Sequence, residues 1–187
     1  MKTCVILPAH NESATIAGIV EQIKKQNLHV LVIDDGSTDD SARLARTQGA
    51  VVLRTQRNYG KGAALTRGFS YALEHGFDAV ITMDADGQHL PQDIPVFLES
   101  LRDPGPGLVI GNRMANLGAM PYLRVMTNRF MSWMLSMITG QKICDSQCGF
   151  RLISRTVLEK LKLDSRKFEI ESEIIIEACR KGCTVVS

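Results

Sequence analysis

The chain has 187 residues, of which 44% are hydrophobic and 22% charged, with a formal net charge of +2. That length suits one compact domain, and the near-neutral balance excludes a strongly basic nucleic-acid binder. No stretch reaches the roughly 18 uninterrupted apolar residues of a spanning helix, and the start lacks the apolar core of a signal peptide, so a cytoplasmic location is expected.

Short β-branched runs alternate with helical patterns through the first half, the signature of consecutive βαβ units and a parallel sheet. Thr3–Pro8 predicts a first strand, and Ile16, Ile19, Val20 and Ile23 recur at helical spacing behind it. Val30–Asp35 predicts a second strand. Ser37 or Thr38 is then expected to cap a helix carrying Asp39 and Asp40 in its first turn, where carboxylates suit the helix dipole. Ala50–Arg54 predicts a third strand, and Asn58-Tyr59-Gly60-Lys61-Gly62 leads into a helix through Glu74. Ala79–Met83 predicts a fourth, fully apolar strand. Pro91–Leu101 reads as a helix, 103–107 as a turn and 108–111 as a fifth strand.

Beyond Arg113 the texture changes, since six of the eight methionines and the one tryptophan fall between Met114 and Met137. Tyr122–Ile138 predicts a helix whose polar residues Arg124, Asn128, Ser132 and Ser136 recur every fourth position, leaving a broad apolar face for a core or for lipid. Trp133 and Arg129 flank that face as interfacial anchors do. Helices are expected around Thr156–Leu161 and Glu171–Arg180, then a strand over Thr184–Val186. The chain stops in that strand, so a catalytic domain shortened at its C-terminus is expected. The five cysteines, an odd number without nearby histidines, fit reduced thiols better than disulfides or structural zinc.

Chemistry concentrates at Asp84-Ala85-Asp86-Gly87-Gln88-His89, where two carboxylates and an amide oxygen follow directly on a buried strand. Such oxygen ligands suit Mg²⁺ or Mn²⁺. An EF-hand loop is excluded because its glycine and carboxylate positions hold His89 and Pro95. Pro8-Ala9-His10-Asn11-Glu12 and Ile33-Asp34-Asp35-Gly36-Ser37 end two further strands, and in open α/β sheets such ends border one ligand crevice.

These motifs, with Gly111-Asn112-Arg113 and Gly149-Phe150-Arg151, resemble family 2 glycosyltransferases. The likeness implies a single Rossmann-like GT-A domain over residues 1–187, its mostly parallel central sheet flanked by helices. Within that family the order of motifs is most similar to dolichyl- and polyprenyl-phosphate sugar synthases.

The resemblance implies that Pro8, His10, Glu12, Ile33 and Asp35 hold the base and ribose of a GDP- or UDP-linked sugar. Asp35 would then read a base N–H rather than cap a helix. Asp84, Ala85 and Asp86 would line ribose and pyrophosphate, with Asp86 and Gln88 as metal ligands. Arg113 and Arg124 would face phosphates, Arg151 is similar in kind, and Lys61 is a possible contact. The implied acceptor is a lipid phosphate, met through peripheral contact at the cytoplasmic face of a membrane, with inversion at the sugar carbon. Two alternatives stay open. One is a saccharide hydroxyl acceptor, with Asp84 or Asp145 as base, and the other is a non-catalytic nucleotide-sugar binding module.

Overall fold

The computed structural model describes residues 1–100, 107–113, 122–163 and 169–187. One seven-stranded sheet organises them, in the order β3-β2-β1-β4-β6-β5-β7. Its first half follows the expected alternation: β1 (Thr3–Ala9), α1 (Ile16–Lys24), β2 (His29–Asp34), α2 (Ser41–Thr47), β3 (Val51–Arg54), α3 (Lys61–Glu74) and β4 (Ala79–Thr82). These four strands run parallel. β1, β2 and β4 are almost wholly buried, which is why they read as continuous apolar runs rather than alternating ones. The chain passes from β1 outward to β2 and later returns to β4 on the other side of β1. A crevice therefore opens at the carboxyl ends of β1 and β4.

The second half contains β5 (Leu108–Ile110), α5 (Tyr122–Thr139), β6 (Arg151–Ser154), α6 (Arg155–Leu158), α7 (Ile170–Arg180) and β7 (Val185–Val186). β6 was not expected. It inserts between β4 and β5, antiparallel to both, while β7 runs parallel to β5. Arg151 disguised it: the side chain is buried and donates to the carbonyls of Cys148 at 2.8 Å, Ser146 at 2.8 Å and Glu171 at 2.5 Å. The phosphate-facing role suggested for Arg151 is corrected accordingly; its donors are spent on closing the backbone around β6.

Other boundaries shift for local reasons. The helix expected from Pro91 is a 3₁₀ turn, Pro91–Asp93, followed by α4 (Ile94–Glu99), because Pro95 suits only a first helical turn. The expected end at Leu101 and most of the 103–107 turn lie outside the described residues. Ser37 and Thr38 do not cap α2, which begins at Ser41 with its N–H bonded to Asp39 Oδ1 at 3.0 Å. Ser37 and its neighbours instead stitch the ends of β1 and β2 together. The N–H of Asn11 donates to Ser37 Oγ at 2.9 Å, and that of Thr38 to Asn11 Oδ1 at 2.8 Å.

α5 is turned against the usual sense. Its polar residues Asn128 and Ser132 are buried, whereas Phe130, Trp133, Met137 and Ile138 are all at least 60% exposed. The buried polar side is held by hydrogen bonds, from Asn128 Nδ2 to Asp145 Oδ1 at 2.7 Å and from Ser132 Oγ to Ser146 Oγ at 3.1 Å. Satisfied polar groups inside leave the apolar stripe facing outward. No described helix is long and apolar enough to cross a membrane.

Candidate active site

A cavity of about 920 Å³ lies at the carboxyl edge of the sheet. The end of β1 and the turn after it supply Pro8, His10 and Glu12 to its wall, and the residue after β2 supplies Asp35. Ile33 does not join them: its side chain is fully buried in the core. It precedes Asp35 by two residues, on the same strand face, and contributes packing beneath the site.

Asp35 departs from expectation in another way. Its carboxylate accepts the N–H of Gly60 at 2.7 Å, the N–H of Tyr59 at 3.0 Å and the hydroxyl of Thr55 at 3.1 Å. Since Gly60 is the N-cap of α3, Asp35 does cap a helix, though a different one from the helix that follows it. The capped loop approaches closely: a Cβ on Gly36, whose φ is +73°, would lie 2.5 Å from the Arg57 carbonyl carbon. His10 supports the same corner by donating from Nδ1 to the Asp35 carbonyl at 2.9 Å.

The Asp84–His89 turn forms the cavity's central wall, with Asp84, Ala85, Asp86 and Gln88 lining it. Three bonds fix its shape. Thr15 Oγ1 donates to the Ala85 carbonyl at 2.6 Å, the Gln88 N–H to Asp86 Oδ1 at 2.9 Å, and the Asp84 N–H to His89 Nδ1 at 3.2 Å. His89 is buried, and that burial pushes its pKa below the ordinary 6.5, keeping the ring a neutral acceptor. Across the turn, Glu12 has its pKa raised by partial burial and by the nearby charges of Asp86 and Asp39. This edge of the cavity is poor in positive charge.

Lys61, a possible phosphate contact in the sequence, is engaged by carboxylates instead. Its ammonium bridges Asp84 Oδ1 at 2.5 Å and Glu171 Oε1 at 2.7 Å. Burial works against its charge, but the two carboxylates outweigh that and raise its pKa. Glu171 was missed as a site residue, although the sequence carries a signal for it. It shares the helical register of the buried Ile174, Ile175 and Ala178, where a lone carboxylate is out of place.

Arg113 and Arg124 both line the cavity, as expected. Arg113 is anchored by Asp145, which is fully buried and accepts from its Nε and Nη2 and from its backbone N–H. Burial raises the Asp145 pKa, yet hydrogen bonds from Arg113 and Asn128 outweigh it and hold the group below the usual 3.8. A general-base role for Asp145 is thereby corrected, because an enclosed, fully engaged anion has no access to an incoming hydroxyl. Arg124 reaches the cavity from α5, and so joins it to the exposed apolar stripe.

Polyprenol monophosphomannose synthase of Mycolicibacterium smegmatis is 31% identical over 199 residues, covering 99% of this chain and 75% of that protein. A UDP-N-acetylglucosamine–dolichyl-phosphate N-acetylglucosaminyltransferase of Methanococcus voltae is 28% identical over 197 residues, covering 93% and 78% respectively. Glucosyl-3-phosphoglycerate synthase from Mycobacterium tuberculosis, solved with Mn²⁺, UDP and glucosyl-3-phosphoglycerate, superposes with a TM-score of 0.79 at 24% identity, covering 99% of this chain and 68% of its own. It shares the GT-A fold. The profile described as Glycosyl transferase family 2 matches residues 4–162, a span that carries every strand-end motif named above, and the chain therefore belongs to family 2 and is a glycosyltransferase.

Proposed function

We propose that this glycosyltransferase moves a sugar from a GDP- or UDP-linked donor to a polyprenyl or dolichyl phosphate held at a membrane surface. The observation that carries the reading is α5, whose exposed apolar stripe and cavity-lining Arg124 belong to one helix. A greasy acceptor lying along Met126, Phe130, Trp133 and Met137 would bring its phosphate toward Arg124 and Arg113. Asp145 keeps the Arg113 fork oriented for phosphate oxygens. The relatives' names point the same way.

The residues suit a divalent ion. Asp86 and Gln88 are exposed at the cavity wall, and the second Asp86 oxygen makes no hydrogen bond among the described residues. Among those residues no group of three or more His, Cys, Asp or Glu side chains forms a metal cage. Two protein oxygens supplemented by donor phosphates and water match the habits of Mg²⁺ and Mn²⁺. Such an ion would neutralise charge on the departing diphosphate, in a cavity whose other walls carry Glu12, Asp84 and Glu171.

The protein's own part in the chemistry is positioning. A phosphate monoester is largely dianionic at neutral pH, its second pKa being about 6, so its oxygen attacks the anomeric carbon without a general base. The new carbon–oxygen bond forms as the bond to the diphosphate breaks, and the nucleoside diphosphate leaves with that electron pair. A single displacement on an α-linked donor inverts the centre. Asp84, held by Lys61, would fix the sugar's orientation, and Pro8, His10, Glu12 and Asp35 the nucleoside. Incubation of α-linked nucleotide sugars with polyprenyl phosphate and Mn²⁺ tests the proposal: a β-linked lipid product by NMR supports it, and an α-linked product overturns the single displacement.

A further inference from the structure

We infer that Gly149 is a positioning residue for Asp84: its missing side chain forms one wall of the slot that holds the Asp84 carboxylate in the cavity. This rests on the reading of that cavity as the donor site. Register creates the encounter. Thr82, the last residue of β4, pairs with Arg151, the first of antiparallel β6, so Asp84 two residues onward meets Gly149 two residues back. The Thr82 hydroxyl donates to the Gly149 carbonyl at 2.8 Å and ties the two chain ends together.

A Cβ at Gly149 would lie 2.5 Å from Asp84 Oδ2, 2.8 Å from Oδ1 and 2.9 Å from Cγ. Its φ is not in the left-handed region, so space rather than backbone conformation demands glycine here. The carboxylate cannot yield and keep its ion pair. Lys61 Nζ lies 2.5 Å from Oδ1 and is itself held 2.7 Å from Glu171 Oε1. A methyl group at 149 would therefore turn the carboxylate away from Lys61, or push the Asp84 turn off the end of β4. The antiparallel insertion of β6 thus has a functional consequence, since a parallel strand in that place would not bring Gly149 back against Asp84.

The test is a double-mutant cycle of parent, Gly149→Ala, Asp84→Ala and the double variant. Each is measured for affinity toward UDP and GDP with Mn²⁺, for sugar transfer to polyprenyl phosphate, and for Tm. Gly149→Ala is expected to keep nucleoside-diphosphate affinity within about twofold and to lose about tenfold or more in kcat/KM for the nucleotide sugar. Added to Asp84→Ala, it should cost nothing more. For a chain that binds but does not turn over, the same pattern is expected in nucleotide-sugar affinity. A Gly149→Ala variant that transfers sugar like the parent, or in a chain without turnover binds the nucleotide sugar like the parent, overturns the role, as do losses that multiply in the double variant. A parent that binds neither nucleoside diphosphate with Mn²⁺ overturns the donor-site reading instead, and this role falls with it.

Discussion

Arg113 and Asp145 form a two-point ion pair, Nε to Oδ2 at 3.0 Å and Nη2 to Oδ1 at 3.2 Å, and the Arg113 backbone N–H adds a third bond to Oδ2 at 3.1 Å. The carboxylate is fully buried and the guanidinium about four-fifths so. Removing one member of such a pair leaves the other charge uncompensated, at a cost of about 3–5 kcal/mol. Asp145→Ala is expected to lose stability of that order in urea unfolding. It should also weaken acceptor-phosphate binding more than donor binding, as separate titrations would reveal.

The same pair sets a pH dependence. The folded pKa of Asp145 lies below its ordinary 3.8, so its stabilisation is fully present above 3.8 and disappears as pH falls through the lowered folded value. Parent stability should drop in that acid window, and Asp145→Asn, weaker at neutral pH, should drop less. Urea midpoints recorded from pH 7 down to about pH 2 check this. Parallel curves would contradict it.

Asp35→Ala is expected to affect stability as well as binding. It would leave the Tyr59 N–H at the start of α3 without its acceptor and the Gly60 N–H with Asn58 Oδ1 alone, at 2.9 Å, which costs about 1 kcal/mol. Because the loop it holds also carries Asn58 into the cavity wall, nucleotide affinity should fall too. An unchanged Tm would remove the capping role.

Asp86→Asn is expected to abolish the stimulation of nucleotide-sugar binding by Mn²⁺ while leaving the fold intact, since its side chain is exposed and among the described residues bonds only the Gln88 N–H. Calorimetry with and without chelator measures this. Equal affinity in all conditions would contradict the assignment of Asp86 and Gln88 to the metal.

Much of the site was legible in the sequence because strand ends in a parallel sheet announce themselves. The Pro8–Glu12, Asp34–Ser37 and Asp84–Gln88 turns each follow an apolar run, and topology alone brings them together. What escaped reading depended on long-range pairing. β6 begins with a buried arginine, so its four residues lack a strand pattern, and with β6 hidden the approach of Gly149 to Asp84 was hidden too. Ile33 was placed by likeness in the nucleotide site, but it lies one residue short of the β2 end, where both strand faces are covered, and its side chain is buried in the core. The polar residues of α5 were recognised at their fourfold spacing, whereas their inward direction follows from Asp145 and Ser146, partners far along the chain.

That inverted helix yields the next prediction. Trp133→Ser with Met137→Ser alters side chains that are 60% and 71% exposed, so folding and donor binding should be unchanged. Sedimentation with anionic phospholipid vesicles should fall about tenfold. A loss of Tm comparable to that of a core mutation would instead return the helix to the interior.

The central claim is that the acceptor is a lipid-borne phosphate, and a competition assay meets it most directly. The protein is given a radiolabelled nucleotide sugar, Mn²⁺, and equal concentrations of polyprenyl phosphate in detergent and a soluble saccharide, and the products are partitioned between organic solvent and water. The account predicts label in the organic phase, released by mild acid as free sugar and lost when polyprenol replaces its phosphate. Label transferred to the saccharide, with the organic phase blank, would contradict it.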